Sequence, residues 1–430
     1  MVLENSVKDF FQLLKSKTGK DTLMVFIGNV LALGLGFLAI ILITRTLRPL
    51  QFGLFSVAMA AMGIASQFSE IGVGTTLIRF VSLFLRKDEL KANLILKVGL
   101  KFNLIIAAIT FLIGFLLSKL LAVNLFNNPN LIFPFKLAFI GAFGTSLVGY
   151  ILASFQARQS FKNYIFIKII PSLGKFVLIG LLFLTLKLNF SNALITVIIL
   201  PFIALLIGSL IMPKNFLRAK GNEKEIFKEM FRFSKWIMVS IFCSMIFTRL
   251  DVLMLEYFKT SEIVGYYSAA FQLAGLAPLI TMALTVVLLP KVSGLNSNEQ
   301  FKNYIKKVLK YSSLIVLILL PIVLIAKPLI ITLYGVQYLN SVNPFRILYL
   351  ALITSIIFNP IGLVLYAINK PDVSAYANLG QLILTFGANY LLIPLYGAIG
   401  AAITVMLAQL LGGGFVFGYV CAKIFSNKGY

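Results

Sequence analysis

The sequence predicts an all-α polytopic membrane protein with twelve transmembrane helices in two six-helix lobes. Three observations lead to this prediction: long charge-free runs, an uneven distribution of basic residues, and an internal repeat. The 430-residue chain is 60% apolar and only 12% charged, whereas soluble domains contain about 25% charged residues. In hydrocarbon every backbone N–H and C=O needs an internal partner, so segments of this kind form helix bundles.

The longest charge-free run extends over fifty residues, from Val373 to Ala422. Its only break is a short turn that begins at Pro394 and ends at Gly397. About 20 apolar residues of α-helix cross a bilayer core about 30 Å thick. The run therefore predicts two membrane-spanning helices joined by a tight hairpin.

Similar apolar runs occur along the whole chain. They predict twelve spans, at 22–43, 50–71, 98–118, 134–156, 165–186, 191–212, 233–255, 263–290, 311–333, 345–368, 373–394 and 398–422. The longest polar stretch, from Lys214 to Lys235, is too short to fold separately. The predicted domains are an N-terminal lobe at 1–212, a cytoplasmic linker at 213–232 and a C-terminal lobe at 233–430.

The basic residues predict the orientation of the chain. With the N-terminus inside, 28 of the 38 Lys and Arg fall on the inner side, 9 fall on the outer side, and Lys175 alone is in mid-span. Positive charge marks cytoplasmic loops, so both termini are predicted to be cytoplasmic in a multi-pass cell-membrane protein. The net charge of +24 does not indicate nucleic-acid binding, because the basic residues occupy short gaps between hydrophobic runs.

Apolar residues recur at helical spacing ahead of the first span, over residues 3–14, with lysines among and just after them. This pattern is typical of a short amphipathic helix that lies on an anionic inner leaflet, which makes membrane lipids an expected partner. The alternative is a solvated tail.

An internal repeat relates the two halves of the chain. The motif GLFSVA begins at Gly53, and a similar motif, GYYSAA, begins 212 residues later at Gly265. Arg158 and Lys370 share this offset, and a Thr-Arg pair precedes each copy of the motif. Because each half would contain an even number of spans, the repeat is predicted to be of the parallel kind.

Four segments resemble Wzx-type flippases of the multidrug/oligosaccharidyl-lipid/polysaccharide exporter superfamily. They are TRTLRPLQFG at 44–53, the acidic-Gly and Ile-Arg segment at 70–79, the span junction at 327–348, and NYLLIPLYGAIGAA at 389–402. The resemblance implies an alternating-access transporter of two lobes, similar to multidrug exporters in fold. Its implied cargo is a polyprenyl-pyrophosphate-linked oligosaccharide, which moves from the inner to the outer leaflet for surface polysaccharide synthesis.

Charged residues inside spans indicate function, because burying charge in lipid is costly. Given the anionic cargo that the resemblance implies, Lys175, Arg249 and Arg45 are predicted to bind substrate. The alternatives are snorkelling to the interface or, for Lys175, pairing with an acid on another helix. Glu70 and Asp251 are the candidates for ion coupling or gating, although Glu70 could instead pair with Arg79 in a structural role.

Other functional classes receive less support. No paired carboxylate motif stands out on the short outer loops, so a membrane-embedded glycosyltransferase or polymerase is not expected and the chain is predicted not to be an enzyme. A multidrug antiporter of the same superfamily is the closer alternative, but no acid lies deep in the first six spans. The chain is expected to be a monomer, with a coupling ion as a further partner.

No cofactor or metal site is predicted. The chain contains no histidine, which is the commonest metal ligand and the usual proton shuttle. Cys243 and Cys421 lie far apart in apolar runs and are predicted to be buried small hydrophobic residues rather than a disulfide.

Overall fold

The computed structural model describes residues 17–70, 72–295, 297–368 and 370–425. The amphipathic helix predicted over residues 3–14 lies outside these residues. Within them, every regular element is a helix. The helices of the first part are α1 Lys17–Thr46, α2 Pro49–Glu70, α3 Val73–Phe84, α4 Glu89–Leu120, α5 Ile132–Ala157, α6 Phe161–Leu184, α7 Phe190–Ile211 and α8 Glu223–Phe258.

The second part of the described chain is also helical. Its helices are α9 Ser261–Ala274, α10 Pro278–Ser293, α11 Asn298–Leu319, α12 Ala326–Tyr334, α13 Val342–Ile353, α14 Ser355–Ala367, α15 Pro371–Tyr396 and α16 Ala398–Phe425. Short 3-10 segments at Asn215–Arg218 and Val336–Ser341 connect some of them.

Ten helical segments in the described residues are long and apolar enough to cross a membrane. They coincide with ten of the predicted spans, so the all-helical, multi-pass architecture is confirmed. The seventh predicted span, 233–255, falls on α8, where the side chains of residues 235–248 lie outside the description. The total of twelve spans stays a prediction.

The ninth predicted span, 311–333, is broken in the structure. Helix α11 and the short helix α12 are bent by 67° relative to one another. The break contains Pro321, which lies in a 3-10 turn at Leu320–Val323. Proline removes a backbone donor and clashes with the preceding turn, which favours a break at this position.

The hairpin predicted at Pro394–Gly397 is confirmed. Helix α15 ends at Tyr396 and α16 begins at Ala398, with Gly397 between them at a φ of 57°. This left-handed conformation favours glycine, which has no Cβ. The ammonium group of Lys259 donates a hydrogen bond of 2.7 Å to the carbonyl of Pro394, and it thereby satisfies one of the free carbonyls at this helix end.

The described chain forms two compact units. Unit 1 contains residues 17–46 and 58–245, and unit 2 contains residues 47–57 and 246–425. Unit 1 is built on the pairings of α1 with α6, α4 with α5, and α5 with α7. Unit 2 is built on the pairings of α15 with α16, α10 with α14, and α13 with α16. The predicted domain boundaries stay a prediction.

Candidate transport site

The two copies of the repeated motif lie against each other within unit 2. A Cβ at Gly53 would overlap the carbonyl of Ser261, and a Cβ at Gly265 would overlap the carbonyl of Pro49. Each glycine therefore packs against the backbone of the other copy. Small residues allow helices to approach this closely in membranes. The sequence repeat identified both glycines but did not predict that they meet.

The segment from the first half is fixed in unit 2 by further contacts. The hydroxyl of Tyr338, which is fully buried, donates a hydrogen bond of 2.8 Å to the carbonyl of Leu47. The rings of Phe52 and Tyr338 meet edge to face, with 6.1 Å between their centroids. These contacts anchor residues 47–57 beside the start of α9.

Two buried carboxylates lie at the end of α8. Asp251 accepts a hydrogen bond from the hydroxyl of Tyr267 and another, of 2.8 Å, from the backbone N–H of Val252. Glu256 accepts a hydrogen bond of 2.7 Å from the Ser261 hydroxyl. Buried carboxylates require such donors, because an unsatisfied charge in a dry environment is costly.

The Asp251–Tyr267 pair belongs to the second half of the repeat alone. At the 212-residue offset, the position of Tyr267 corresponds to Phe55. Counted from the preceding Thr-Arg pair, the position of Asp251 corresponds to Leu47. The first half thus has two apolar side chains where the second half has an acid and its hydrogen-bond donor.

The three predicted substrate-binding cations are distributed over both units. Arg45 is exposed in the last turn of α1, in unit 1. Arg249 is exposed on α8, in unit 2. No ion pair joins Arg249 to Asp251 among the described residues, as expected for side chains two positions apart on a helix. The structure does not bring these cations together within a single unit.

Lys175 lies near the middle of α6, about 14 residues and so ~21 Å from the start of that helix at Phe161. Its side chain is partly buried, and it forms no ion pair with any acidic residue that the structure describes. The neighbouring residue, Gly174, packs against Leu200 of α7. Ser172, one turn earlier, faces Gly36 of α1.

Glu70 lies at the end of α2, where its carboxylate occupies the space left by the missing side chain of Gly149 on α5. The side chain is partly buried. Arg79, which the sequence offered as its partner, instead lies over the ring of Phe233, 4.2 Å from the centroid. No ion pair between Glu70 and Arg79 is present in the described structure, so the predicted structural pairing receives no support.

A group of ion pairs fixes the start of α8 to α4 in unit 1. Lys97 and Lys101 contact the Glu223 carboxylate at 3.1 and 2.6 Å. Lys91 contacts Glu229 at 3.1 Å. The hydrogen bond from Lys101 is the largest cause that lowers the pKa of Glu223 below its usual value. The sequence located this segment as a linker but did not identify its acidic residues as partners of α4.

A polar cavity of about 460 Å³ lies among α10, α14, α15 and α16 of unit 2. Its described lining includes four side-chain amides, two aromatic rings and three glycines, and among these described residues no side chain is charged. The lining residues are Thr285, Phe358, Asn359, Gly362, Leu363, Tyr366, Ser374, Ala377, Asn378, Gln381, Gln409, Gly412, Gly413 and Val416. This cavity was not predicted from the sequence.

A sequence signal for the cavity existed on one helix. Ser374, Asn378 and Gln381 are spaced at i, i+4 and i+7 in a charge-free span, so they share one face of α15. Gly412 and Gly413 of α16 allow close packing of the neighbouring helices, because the side chains of Gln381 and Phe358 lie directly against them beside the cavity.

No group of three or more His, Cys, Asp or Glu residues that could hold a metal ion occurs in the described part of the chain. Cys421 carries a free thiol. The side chain of Cys243 lies outside the description.

These features define a multi-pass membrane protein whose described regular elements are all helices. The fold is similar to that of a solved structure of the lipid II flippase MurJ in its inward closed conformation, with a TM-score of 0.77 and 16% identity over 93% of this chain and 87% of that one. It is also similar to an inward-facing multidrug resistance MATE family transporter, with a TM-score of 0.69 and 15% identity over 92% and 96% of the two chains.

The sequence profile of the family described as "Polysaccharide biosynthesis protein" matches residues 42–343, and the chain belongs to this family. It is 22% identical to a putative O-antigen transporter of Shigella flexneri over 88% of this chain and 90% of the relative. It is also 22% identical to a probable low-salt glycan biosynthesis flippase of Haloferax volcanii over 90% and 80% of the two chains. The predicted kinship with Wzx-type flippases is confirmed.

Proposed function

We propose that this protein is an alternating-access flippase that moves a polyprenyl-pyrophosphate-linked oligosaccharide from the inner to the outer leaflet for cell-surface polysaccharide synthesis. The observation that carries this proposal is the family match, together with relatives named for O-antigen transport and glycan flipping that align over most of both chains. The fold shared with a lipid II flippase supports it.

In this proposal the pyrophosphate follows a cationic path that is formed by Lys175, Arg249 and Arg45. A pyrophosphate must lose water to cross the membrane, and fixed cations replace part of that hydration. Lys175 supports the idea because it lies near mid-helix and has no ion-pair partner in the described structure, so its charge is available to a ligand.

Asp251 and Glu70 are the proposed coupling or gating acids. The Asp251–Tyr267 hydrogen bond exists only in the second half of the repeat, which favours a specific role over a shared structural one. Glu70 packs on Gly149 and has no described ion pair. A carboxylate in this situation can bind and release a proton or another cation during transport.

The proposed architecture has two parallel six-helix lobes, both termini in the cytoplasm, and a monomeric chain. Outward release would require residues 47–57 to separate from α9, so the contact between Gly53 and Gly265 is the proposed outer closure.

Reporter fusions at Tyr430 and within 214–232 test the topology. Both should report the cytoplasm, and an outside signal at either position would overturn it.

Deleting the gene tests the function. The proposal predicts that undecaprenyl- or dolichyl-linked oligosaccharide accumulates on the inner leaflet of the deletion strain and that the wild-type gene reverses this. The alternative, a multidrug antiporter of the same superfamily, predicts unchanged lipid-linked glycan and increased sensitivity to cationic drugs. That second outcome would reject the flippase proposal.

A further inference from the structure

The polar cavity of unit 2 is built mainly from one stripe of each of three helices, to which α10 adds Thr285. Its residues on α15 are Ser374, Asn378 and Gln381, at intervals of four and three positions. Its residues on α16 run from Gln409 to Val416, and those on α14 run from Phe358 to Tyr366, again at helical spacing. Each of these three helices therefore contributes at least one amide side chain to the same volume.

Three of the four amide side chains around this cavity have no hydrogen-bond partner among the described residues. Gln381 donates a hydrogen bond of 2.8 Å to the carbonyl of Ala408. Asn359, Asn378 and Gln409 make no hydrogen bond within the described part of the chain. Each free amide offers two donors and an acceptor with two lone pairs. Asn359 and Asn378 are exposed and Gln409 is half-buried, so these amides can reach an occupant of the cavity. Polar side chains in membrane helices are satisfied by water or by a ligand, which makes the cavity suited to a hydrogen-bonding occupant.

The absence of charge in the described lining restricts the chemistry of that occupant. Sites for divalent cations commonly contain carboxylates, and sites for phosphate commonly contain Arg or Lys; the described lining has neither. Amides and hydroxyls satisfy neutral groups that both donate and accept hydrogen bonds, and the hydroxyl groups of sugars are of this kind. The cavity is therefore matched to a neutral, hydroxyl-rich ligand.

The apolar part of the lining fits the same ligand. The rings of Phe358 and Tyr366 provide flat apolar surfaces of the type that pack against the C–H faces of a sugar ring. Gly412 and Gly413 lie directly against the side chains of Gln381 and Phe358, so larger residues there would displace them. The volume of about 460 Å³ lies in the range of small-molecule sites, roughly 300–1,000 Å³.

The cavity and the packed glycines occupy opposite ends of unit 2. Residues 374–381 lie in the first turns of α15, which begins at Pro371, whereas the hairpin at Gly397 closes its other end. The contact between Gly53 and Gly265 involves the starts of α2 and α9, and Lys259, which precedes α9, bonds the carbonyl of Pro394 near that hairpin. In the proposed topology the cavity lies in the cytoplasmic half of the membrane, where the glycan begins its transfer.

We propose that this cavity binds neutral sugar residues of the cargo, while the cations act separately on the pyrophosphate. The proposal rests on the proposed flippase function, which it deepens. It assigns hydrogen bonding to Asn378 and Gln409 and ring packing to Tyr366. The uncharged cavity would thus bind the glycan part of the cargo, and the cations would bind the pyrophosphate part of the same molecule.

The test compares two probes on purified protein in nanodiscs. One probe is the lipid-linked oligosaccharide extracted from the deletion strain, and the other is undecaprenyl pyrophosphate without sugar. The double variant Asn378→Leu/Gln409→Leu should bind the first probe on the order of tenfold or more weakly, because the hydrogen bonds from both amides to the sugar are lost. Its affinity for the sugar-free probe should not change.

Thermal stability distinguishes a binding role from a structural one. Leucine is close in size to these amides, and replacing an unpaired polar group by an apolar one should leave the melting temperature unchanged or raise it. A fall in melting temperature without selective loss of the glycan-bearing probe would overturn the proposal. Tyr366→Leu should reproduce the selective loss. Tyr311→Leu is the matched control, since Tyr311 is 59% exposed on α11, close to the 57% of Tyr366, and lies outside this cavity.

The two proposals fail in different ways. If the deletion strain accumulates no lipid-linked oligosaccharide, the flippase function is rejected. If the lipid accumulates and the double variant binds both probes as the wild type does, only the glycan subsite is rejected.

Discussion

Gly265 lies directly against the carbonyl group of Pro49, and a Cβ at position 265 would overlap that oxygen. The reciprocal contact places Gly53 against the carbonyl of Ser261. We predict that Gly265→Ala destabilises the protein by about 1–3 kcal/mol, since backbone at this contact has to move to make room. Thermal unfolding in detergent measures the effect.

Gly387→Ala is the control for this substitution. Gly387 also lies within a helix, but a Cβ there would meet no atom within 4 Å. Alanine is the better helix former by about 0.5–1 kcal/mol, so this variant should be neutral or stabilised. Equal melting temperatures for the two variants would show that the contact between the repeat copies does not contribute to stability.

Loss of the Tyr267 hydroxyl, which donates to the buried Asp251, should lower the stability of the protein. Tyr267→Phe removes a donor from a buried carboxylate, which should cost about 1–3 kcal/mol. Tyr349→Phe is the matched control, because the buried Tyr349 donates at 3.2 Å to the neutral carbonyl of Leu319. Chemical denaturation should show the larger loss for Tyr267→Phe, and the opposite order would show that the hydrogen bond to Asp251 is not the stronger of the two.

The ion pairs between α4 and Glu223 should make a contribution to stability that depends on pH. The folded-state pKa of Glu223 is lowered, chiefly by the hydrogen bond from Lys101. The stabilisation is therefore fully present above the ordinary pKa of glutamate, about 4.3, and is lost as the pH falls through the lowered value.

Comparison of wild type with Glu223→Gln measures this contribution. The melting temperature of the wild type should exceed that of Glu223→Gln by a small amount at pH 7. This difference should shrink as the pH falls below about 4. It should also shrink in high salt, because exposed ion pairs are screened. A difference that grows on acidification would contradict the assignment.

Lys175 should be required for export. Lys175→Ala should reduce glycan export while the amount of protein in the membrane stays near normal, and Lys175→Glu should be worse because it repels the pyrophosphate. Lys175→Arg should retain part of the activity, since it keeps the charge. Lys187→Ala, at an exposed lysine after the same helix, is the control. Normal export by Lys175→Ala would reject the cationic path.

Much of the fold could be predicted from hydrophobic runs, because the bilayer imposes a simple length requirement. The uncharged stretch between Val373 and Ala422 predicted both helices and the turn at Gly397 correctly. The bend between α11 and α12 was not predicted, although Pro321 marks it. A proline inside an apolar run is compatible with a kink, a break or a straight continuation, and only the packing around it selects one.

The candidate site was predicted less completely than the fold. Single charged residues such as Lys175 are conspicuous in an apolar run, so the sequence draws attention to them. The cavity depends on uncharged side chains from separate helices, such as Asn359, Asn378 and Gln409, which come together only after α14, α15 and α16 have packed. No spacing within one helix specifies that meeting.

A reconstituted flipping assay tests the central claim most directly. Proteoliposomes would contain the purified protein and the lipid-linked oligosaccharide from the deletion strain, and a glycan-cleaving enzyme would be added outside. We predict that the protein brings the inner-leaflet glycan within reach of the enzyme, so that nearly all of it is cleaved, whereas protein-free vesicles protect that fraction. Equal protection with and without the protein would contradict the account.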